Sequence, residues 1–169
     1  MKVAFWLLPR DRDRLMYQAL IDQLAETYDT ARFAAHVTID VEPYDGIDLK
    51  ACIQTAIADL QPFSLTIDRL DYTPHYTKTL FVQFHPHPLL TQVSDRLRSQ
   101  FKPPADFSLN PHLSLIYGGL QPDQQQRLAQ EIVLPATEVW FDGISAIGFT
   151  ASSTRQDIEQ AELLYQSLF

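Results

Sequence analysis

Cysteine is almost missing from this chain of 169 residues: Cys52 is the only one, so no internal disulfide can form. Its helix-patterned surroundings mark it as a buried thiol rather than a nucleophile, and a reducing compartment is expected. Glycine is scarce, with 5 residues against 11 prolines, which excludes collagenous, glycine-linker and other low-complexity architectures. Long apolar runs are lacking as well. The run from Val3 to Leu8 is broken by Pro9 and a charge cluster; it is too short for a membrane span and has no small-residue cleavage site. A cytoplasmic protein without membrane contact is therefore expected. Basic residues are few: 13 Lys and Arg against 21 Asp and Glu leave a formal charge of −8, which argues against adhesion to long nucleic acids or anionic lipid.

Several chemical signatures are missing too. There is no HExxH, no cysteine pair and no dense carboxylate cluster, so no metal ligands are assigned, although His75, His85 and His87 include an H-P-H stretch. The absence of a G-x-S-x-G elbow, a Walker loop and a GxGxxG turn removes support for serine hydrolases, nucleoside triphosphatases and dinucleotide dehydrogenases. No cofactor is expected.

The pattern that remains mixes strands and helices. Val3 to Leu8 reads as a buried strand. Asp13 to Tyr28 reads as a helix with Leu15, Ala19, Leu20, Leu24 and Tyr28 at helical spacing. His36 to Val41 alternates polar and apolar residues as a strand with one polar face, carrying His36, Thr38 and Asp40. A helix capped by Asp48 runs to Leu60, two strands cover Phe63 to Leu70 and Thr79 to Phe84, and a third helix runs from Leu89 to the Pro103-Pro104 stop. A strand from His112 to Tyr117, a helix from Pro122 to Glu131 and three closing strands (136–141, 143–150 and 162–168) complete the chain. This order lacks the steady alternation of a doubly wound sheet and predicts an α+β fold of antiparallel sheet with helices packed outside. The length suits one domain, residues 1–169, and a recurring helix–strand–helix pattern suggests two similar lobes.

Two short motifs carry the chemistry. In His36-Val37-Thr38-Ile39 and His112-Leu113-Ser114-Leu115 the histidine and the hydroxyl residue lie two apart and face the same way, while their apolar neighbours enter the core. An imidazole titrates near neutrality, so across a cleft one histidine can accept a proton while the other donates one. The hydroxyls of Thr38 and Ser114 can donate to nonbridging phosphate oxygens, and water needs no separate nucleophile. Phe5, Phe81 and Leu115 are assigned to packing.

FAAHVTI at 33–39, NPHLSLIYGGL at 110–120 and the opening VAFWLLP together resemble the two-histidine phosphoesterase superfamily, in its cyclic phosphodiesterase-like branch. The resemblance implies a two-lobed fold in which each lobe gives one H-x-[ST] to a central, metal-independent groove. It implies opening of 2′,3′-cyclic nucleotides, or of ADP-ribose 1″,2″-cyclic phosphate, by a catalytic pair matching His36 and His112. Thr38 and Ser114 match the phosphate-binding hydroxyls, and Tyr117 the aromatic that stacks on or beside the base. Tyr76, Lys78 and Trp6 fall where relatives have groups near the cleft, and packing or solvent roles compete for each. In hydrolysis His112 is read as the base and His36 as the acid, with the roles exchanged in reverse. A small cyclic phosphate needs only a local positive patch, which favours a small substrate over long RNA, and a monomer is expected. Processing or joining of RNA ends, and binding of nucleotide phosphates without turnover, remain alternatives.

Overall fold

The strand that organises the molecule is the one the sequence pattern divides. The structure, a computed structural model, describes residues 1–150 and 154–169, and in it Glu138–Phe149 form one continuous strand. In chain order the elements are β1 (Lys2–Pro9), α1 (Asp11–Tyr28), β2 (Val37–Pro43), α2 (Leu49–Ala56), β3 (Phe63–Tyr72), β4 (Leu80–Phe84), α3 (Pro88–Arg98), β5 (His112–Ile116), α4 (Pro122–Glu131), β6 (Glu138–Phe149), α5 (Arg155–Glu159) and β7 (Glu162–Leu168). One edge of β6 pairs with β1 from Phe141 to Phe149; the other pairs first with β3 at Glu138–Phe141 and then with β7 at Gly143–Gly148. Asp142-Gly143 is therefore no turn. A Cβ on Gly143 would sit 2.9 Å from Leu168 Cδ2, so the glycine lets β7 approach closely.

All pairings are antiparallel, in the order β1-β2-β5-β4-β3-β6-β7, and the β1–β6 pairing closes six of the strands into a ring. The fold is α+β, with α1 packed on β1 and β5, α3 on β2 and on α2, and α4 on β3. Val3, Phe5 and Leu7 of β1, Val37 and Ile39 of β2, and Leu113 and Leu115 of β5 are all fully buried in one core. Helix α1 forms where its periodicity places it, with Asp11 and Asp13 near its positive end, but its buried stripe differs from the expected one. Tyr17, Ile21 and Leu24 face the core, and Leu15 is 62% exposed. Cys52 is buried on α2, and Asp48 caps that helix by accepting from the Ala51 amide. Helix α5, where the sequence reading has no element, is capped by Thr154, whose hydroxyl accepts from the Asp157 amide.

A bulge corrects the reading of β2. Phe5 pairs with Asp40 but Trp6 with Thr38, so Ile39 is the extra residue and the alternation flips past it. Asp40 consequently leaves the polar face of His36 and Thr38 and turns inward, as does Glu42, both with no exposed surface. Glu42 Oε2 accepts from the Ala105 amide at 2.6 Å, while both Asp40 oxygens have no partner among the described residues. Burial first, and then the neighbouring Glu42 carboxylate, push Asp40 up to about 7. The folded protein thus keeps a proton on Asp40 that the unfolded chain releases near pH 4. The stability this proton carries is complete below that value and is lost as pH rises to about 7. Asn keeps the neutral shape without titrating, so Asp40→Asn should gain on the natural protein between pH 4.5 and 8, by at most about 4 kcal/mol. Urea unfolding at the two pH values measures this, and a difference independent of pH would show that Asp40 is ionised in the fold.

Candidate active site

Strands β2 and β5 meet through a single residue pair, Val37 with Leu113. These are the middle residues of the two H-x-[ST] motifs, and both are fully buried. Continuing the antiparallel register by one residue each way sets His36 beside Ser114 and Thr38 beside His112. The two motifs are thereby related by a local two-fold axis, with the imidazoles on one diagonal. Beyond this pair the strands part, and the gap is a cavity of about 250 Å³ lined by Trp6, His36, Thr38, His112, Ser114 and Tyr117 among others.

Each imidazole is fixed in the same way. His36 Nδ1 lies 2.6 Å from the Ala34 carbonyl oxygen, and His112 Nδ1 lies 2.7 Å from that of Asn110. A carbonyl only accepts, so each Nδ1 carries the hydrogen and Nε2 is left as the free acceptor of the neutral ring. His36 also stacks on the Trp6 indole at 3.7 Å with 11° between planes, while Phe81 meets His112 edge-on at 5.4 Å. His36 is only 5% exposed. Burial, together with the nearby His112, lowers it to about 4 despite the opposing Ala34 bond. The half-buried His112 is lowered by burial and then by the charge of Lys78, again against its carbonyl bond. Both rings are therefore neutral at pH 7 in the ligand-free protein.

Several other expected site residues stand in other relations than a sequence can specify. Ser114 Oγ donates to the Thr77 carbonyl at 2.8 Å, so its one proton is engaged until a stronger acceptor arrives. One face of the Tyr117 ring is covered by Phe33 at 3.8 Å and 11°, and burial lifts the phenol above its ordinary value. Trp6 does line the cavity and at the same time backs His36. Neither Tyr76 nor Lys78 is part of the lining. Tyr76 packs on Gly118, where a Cβ would come within 2.4 Å of its ring and where φ is +68°, a conformation that requires glycine. Lys78 places Nζ 4.4 Å over the Phe81 ring, behind His112.

The lining also holds residues to which the sequence reading gives no site role: Phe33 and Asn110, three and two residues ahead of the motif histidines, Thr77 of the short 3-10 turn Tyr76–Lys78, Phe107 from a loop, and Asp157 and Ile158 of α5. Arg155 holds α5 over the groove through an ion pair to Asp29 at 2.8 Å. Among the described residues the lining contains no lysine or arginine, so the expected local positive patch is not there. Among them, too, no group of three His, Cys, Asp or Glu could hold a metal ion, and no helix is long and apolar enough to cross a membrane. Positive charge can enter this cavity on an imidazole.

Ring-nitrogen NMR of the ligand-free protein should show both histidines as Nδ1–H tautomers at pH 7, with His112 taking a proton before His36 on acidification. A His36 that titrates near 6.5 would mean that its ring is solvated rather than packed on Trp6.

Comparison with known proteins places this geometry. No curated protein sequence matches the chain. The solved structures that share its fold include E. coli LigT complexed with 3′-AMP, with 16% identity, 99% of this chain and 96% of that one covered and a TM-score of 0.59. TT0787 of Thermus thermophilus superposes with a TM-score of 0.63 at 13% identity, over 98% of this chain and 96% of that one. Likeness at such identities concerns the fold, and this fold is the two-histidine phosphoesterase-like one. The sequence itself matches the model of the 2′-5′ RNA ligase superfamily over residues 13–149, a span that holds both motifs, and to that superfamily the chain belongs.

Proposed function

We propose that the protein is a phosphodiesterase that opens small cyclic phosphates, 2′,3′-cyclic nucleotides or ADP-ribose 1″,2″-cyclic phosphate, with His36 and His112 as its acid–base pair. The observation that carries this reading is the matched tethering of the two imidazoles, each pinned at Nδ1 with Nε2 free, on a cavity without other cationic side chains among the described residues. One proton shared by the pair gives the site a single positive charge, which matches the single negative charge of a phosphodiester. Long RNA would profit from a basic track that this acidic protein does not offer. E. coli LigT has been crystallised with 3′-AMP, phosphate, ATP and NADP+, so a protein of this fold takes small phosphate-bearing ligands.

In the proposed reaction one neutral imidazole takes a proton from water as its oxygen bonds to phosphorus. The opposite P–O bond breaks, and the protonated imidazole gives its proton to the departing ribose oxygen, leaving a phosphomonoester. Thr38 and Ser114 donate to the nonbridging oxygens, Ser114 by exchanging the Thr77 carbonyl for phosphate. The two-fold relation of the motifs lets either ring serve in either role. With His36 as acid, the bound anion must raise His36 above His112, because the ligand-free order is the reverse. The tethers, the hydroxyls and the proton pair complete this chemistry without a metal, so turnover should survive dialysis against EDTA. Loss of activity that one divalent ion restores would overturn that reading.

The profile of kcat/KM against pH should be a bell whose limbs belong to the coupled pair in the free enzyme. Below the acid limb both rings are charged and no base remains; above the alkaline limb both are neutral and no acid remains. Since burial lowers both rings, the maximum should lie on the acid side of the ordinary histidine value. A flat profile from pH 4 to 9 would contradict the mechanism.

A product-resolved assay with 2′,3′-cyclic AMP, ADP-ribose 1″,2″-cyclic phosphate and short RNAs with cyclic or 2′-phosphate ends separates the proposed function from RNA-end processing or joining. His36→Ala and His112→Ala should each lower opening by roughly 10² to 10⁴, with the double variant little worse, because both rings serve one transition state. Ser114→Ala should cost up to about 10². A wild type no faster than the double variant would identify a binding protein instead.

A further inference from the structure

Each catalytic ring leans on a carbonyl that the sheet does not hold. Ala34 lies in the irregular segment before β2, and Asn110 in the one before β5, so neither has a ladder partner to fix the oxygen that receives the Nδ1 hydrogen. A glutamine from a neighbouring element braces each of these segments.

On α1, Gln18 Nε2 donates to the Phe33 carbonyl at 2.9 Å, and its Oε1 accepts from the Ala35 amide at 2.9 Å. The side-chain amide thus takes the place of a paired strand and grips the two residues flanking Ala34. Nε2 also donates to Asp22 Oδ1 at 3.1 Å; a carboxylate only accepts, so this contact fixes which end of the amide is NH₂. On β4, Gln83 stands opposite His112 and its Nε2 donates to the Pro111 carbonyl and to Asn110 Oδ1, both at 2.8 Å. The Phe84 amide donates to the same Pro111 oxygen at 3.0 Å. Two elements of different type, a helix and a strand, meet the same requirement with the same side chain. In Gln18 the chemistry demands it, because the bridge needs a donor and an acceptor in one plane, and a carboxylate has no donor.

We propose that Gln18 and Gln83 are positioning residues of the two imidazoles, each fixing the peptide segment whose carbonyl selects the ring's tautomer and aim. The proposal rests on the acid–base roles assigned above to His36 and His112. It adds that the reaction depends on residues that touch neither substrate nor ring.

Gln18→Glu and Gln18→Leu test it. At pH 8 the Glu variant sets a carboxylate against the Phe33 carbonyl, and kcat on 2′,3′-cyclic AMP should fall roughly 10- to 100-fold, with KM changed less than about twofold. As pH falls the introduced carboxyl gains a proton, donates to Phe33 and still accepts from Ala35. The ratio of the Glu variant to wild type should therefore rise at least about threefold between pH 8 and 5. The Leu variant should show the loss without the recovery. Ring-nitrogen NMR should show His36 moving from the Nδ1–H tautomer toward Nε2–H in Gln18→Leu, with circular dichroism confirming the fold. Retention of the Nδ1–H tautomer in the Leu variant, an unchanged kcat, or a loss in the Glu variant that is equal at every pH overturns the proposal and leaves Gln18 a structural residue. A wild type without turnover defeats the proposed function instead, and the tautomer measurement alone then decides the role of Gln18.

Discussion

The pairing of Val37 with Leu113 is the contact on which the site depends. A full ladder between β2 and β5 would hold facing side chains about 5 Å apart and leave no room for a phosphate between them. With no pair at all, the two strands would share no register, and a slip of either strand by one residue would send its histidine into the core. One pair satisfies both requirements. Its two side chains are buried with Ile39 and Leu115 beneath them, so the hydrophobic core itself sets the register. The four polar neighbours of the pair are left to face the gap where the strands part.

The electrostatics follow from the same placement. The strands that bring the motifs together also bury His36 against Trp6 and set the Phe81 ring against both His112 and the Lys78 ammonium. Burial of both rings, and the Lys78 charge near His112, favour the neutral imidazoles, and the backbone carbonyls at Nδ1 oppose them only in part. The result is a pair of imidazoles that are uncharged in the ligand-free cavity. In the proposed reaction an anion bound between the rings favours protonation of one of them, which couples proton uptake to binding. A site prefilled with lysine or arginine would bind phosphate without this link between binding and the state of the acid.

Much of this was legible in the sequence because it depends on period. A short apolar run bounded by Pro9 marks β1, alternation marks β5, and the spacing of His36 and Thr38, and of His112 and Ser114, marks the shared face. What escaped depends on local exceptions to period. The bulge at Ile39 turned Asp40 away from the face its spacing implied, and nothing in HVTIDV marks a bulge. Strand β6 runs through Asp142-Gly143, a pair that reads as a turn, because each half of the strand has its own partner. On α1 both Leu15 and Tyr17 fit a helix, and only the packing of the sheet decides that Tyr17 faces inward. Helix α5 is too short for its periodicity to show, and Tyr76 and Lys78 lie close to the motifs in space without reaching the cavity.

Departures from ordinary folding rules gather around the segments that support the two histidines. Gly118, just after the second motif, takes a left-handed turn against Tyr76. Glu42 is buried to hold the Ala105 amide, and Arg98 donates to the carbonyls of Ala105 and Phe107, so a carboxylate and a guanidinium grip the strap that leads to Asn110 and His112. Asp40, buried beside Glu42 without a partner among the described residues, is the cost of that arrangement, since the bulge that turns Glu42 inward turns Asp40 inward as well. Buried carboxyls of this kind weaken a fold unless a compensating contact requires them. Here the contact is the strap, which has no sheet ladder between Phe101 and Pro111 and would otherwise leave the His112 tether free to move. Stability given up beneath β2 is thus converted into a fixed position for Asn110 O, and through it for the imidazole of His112.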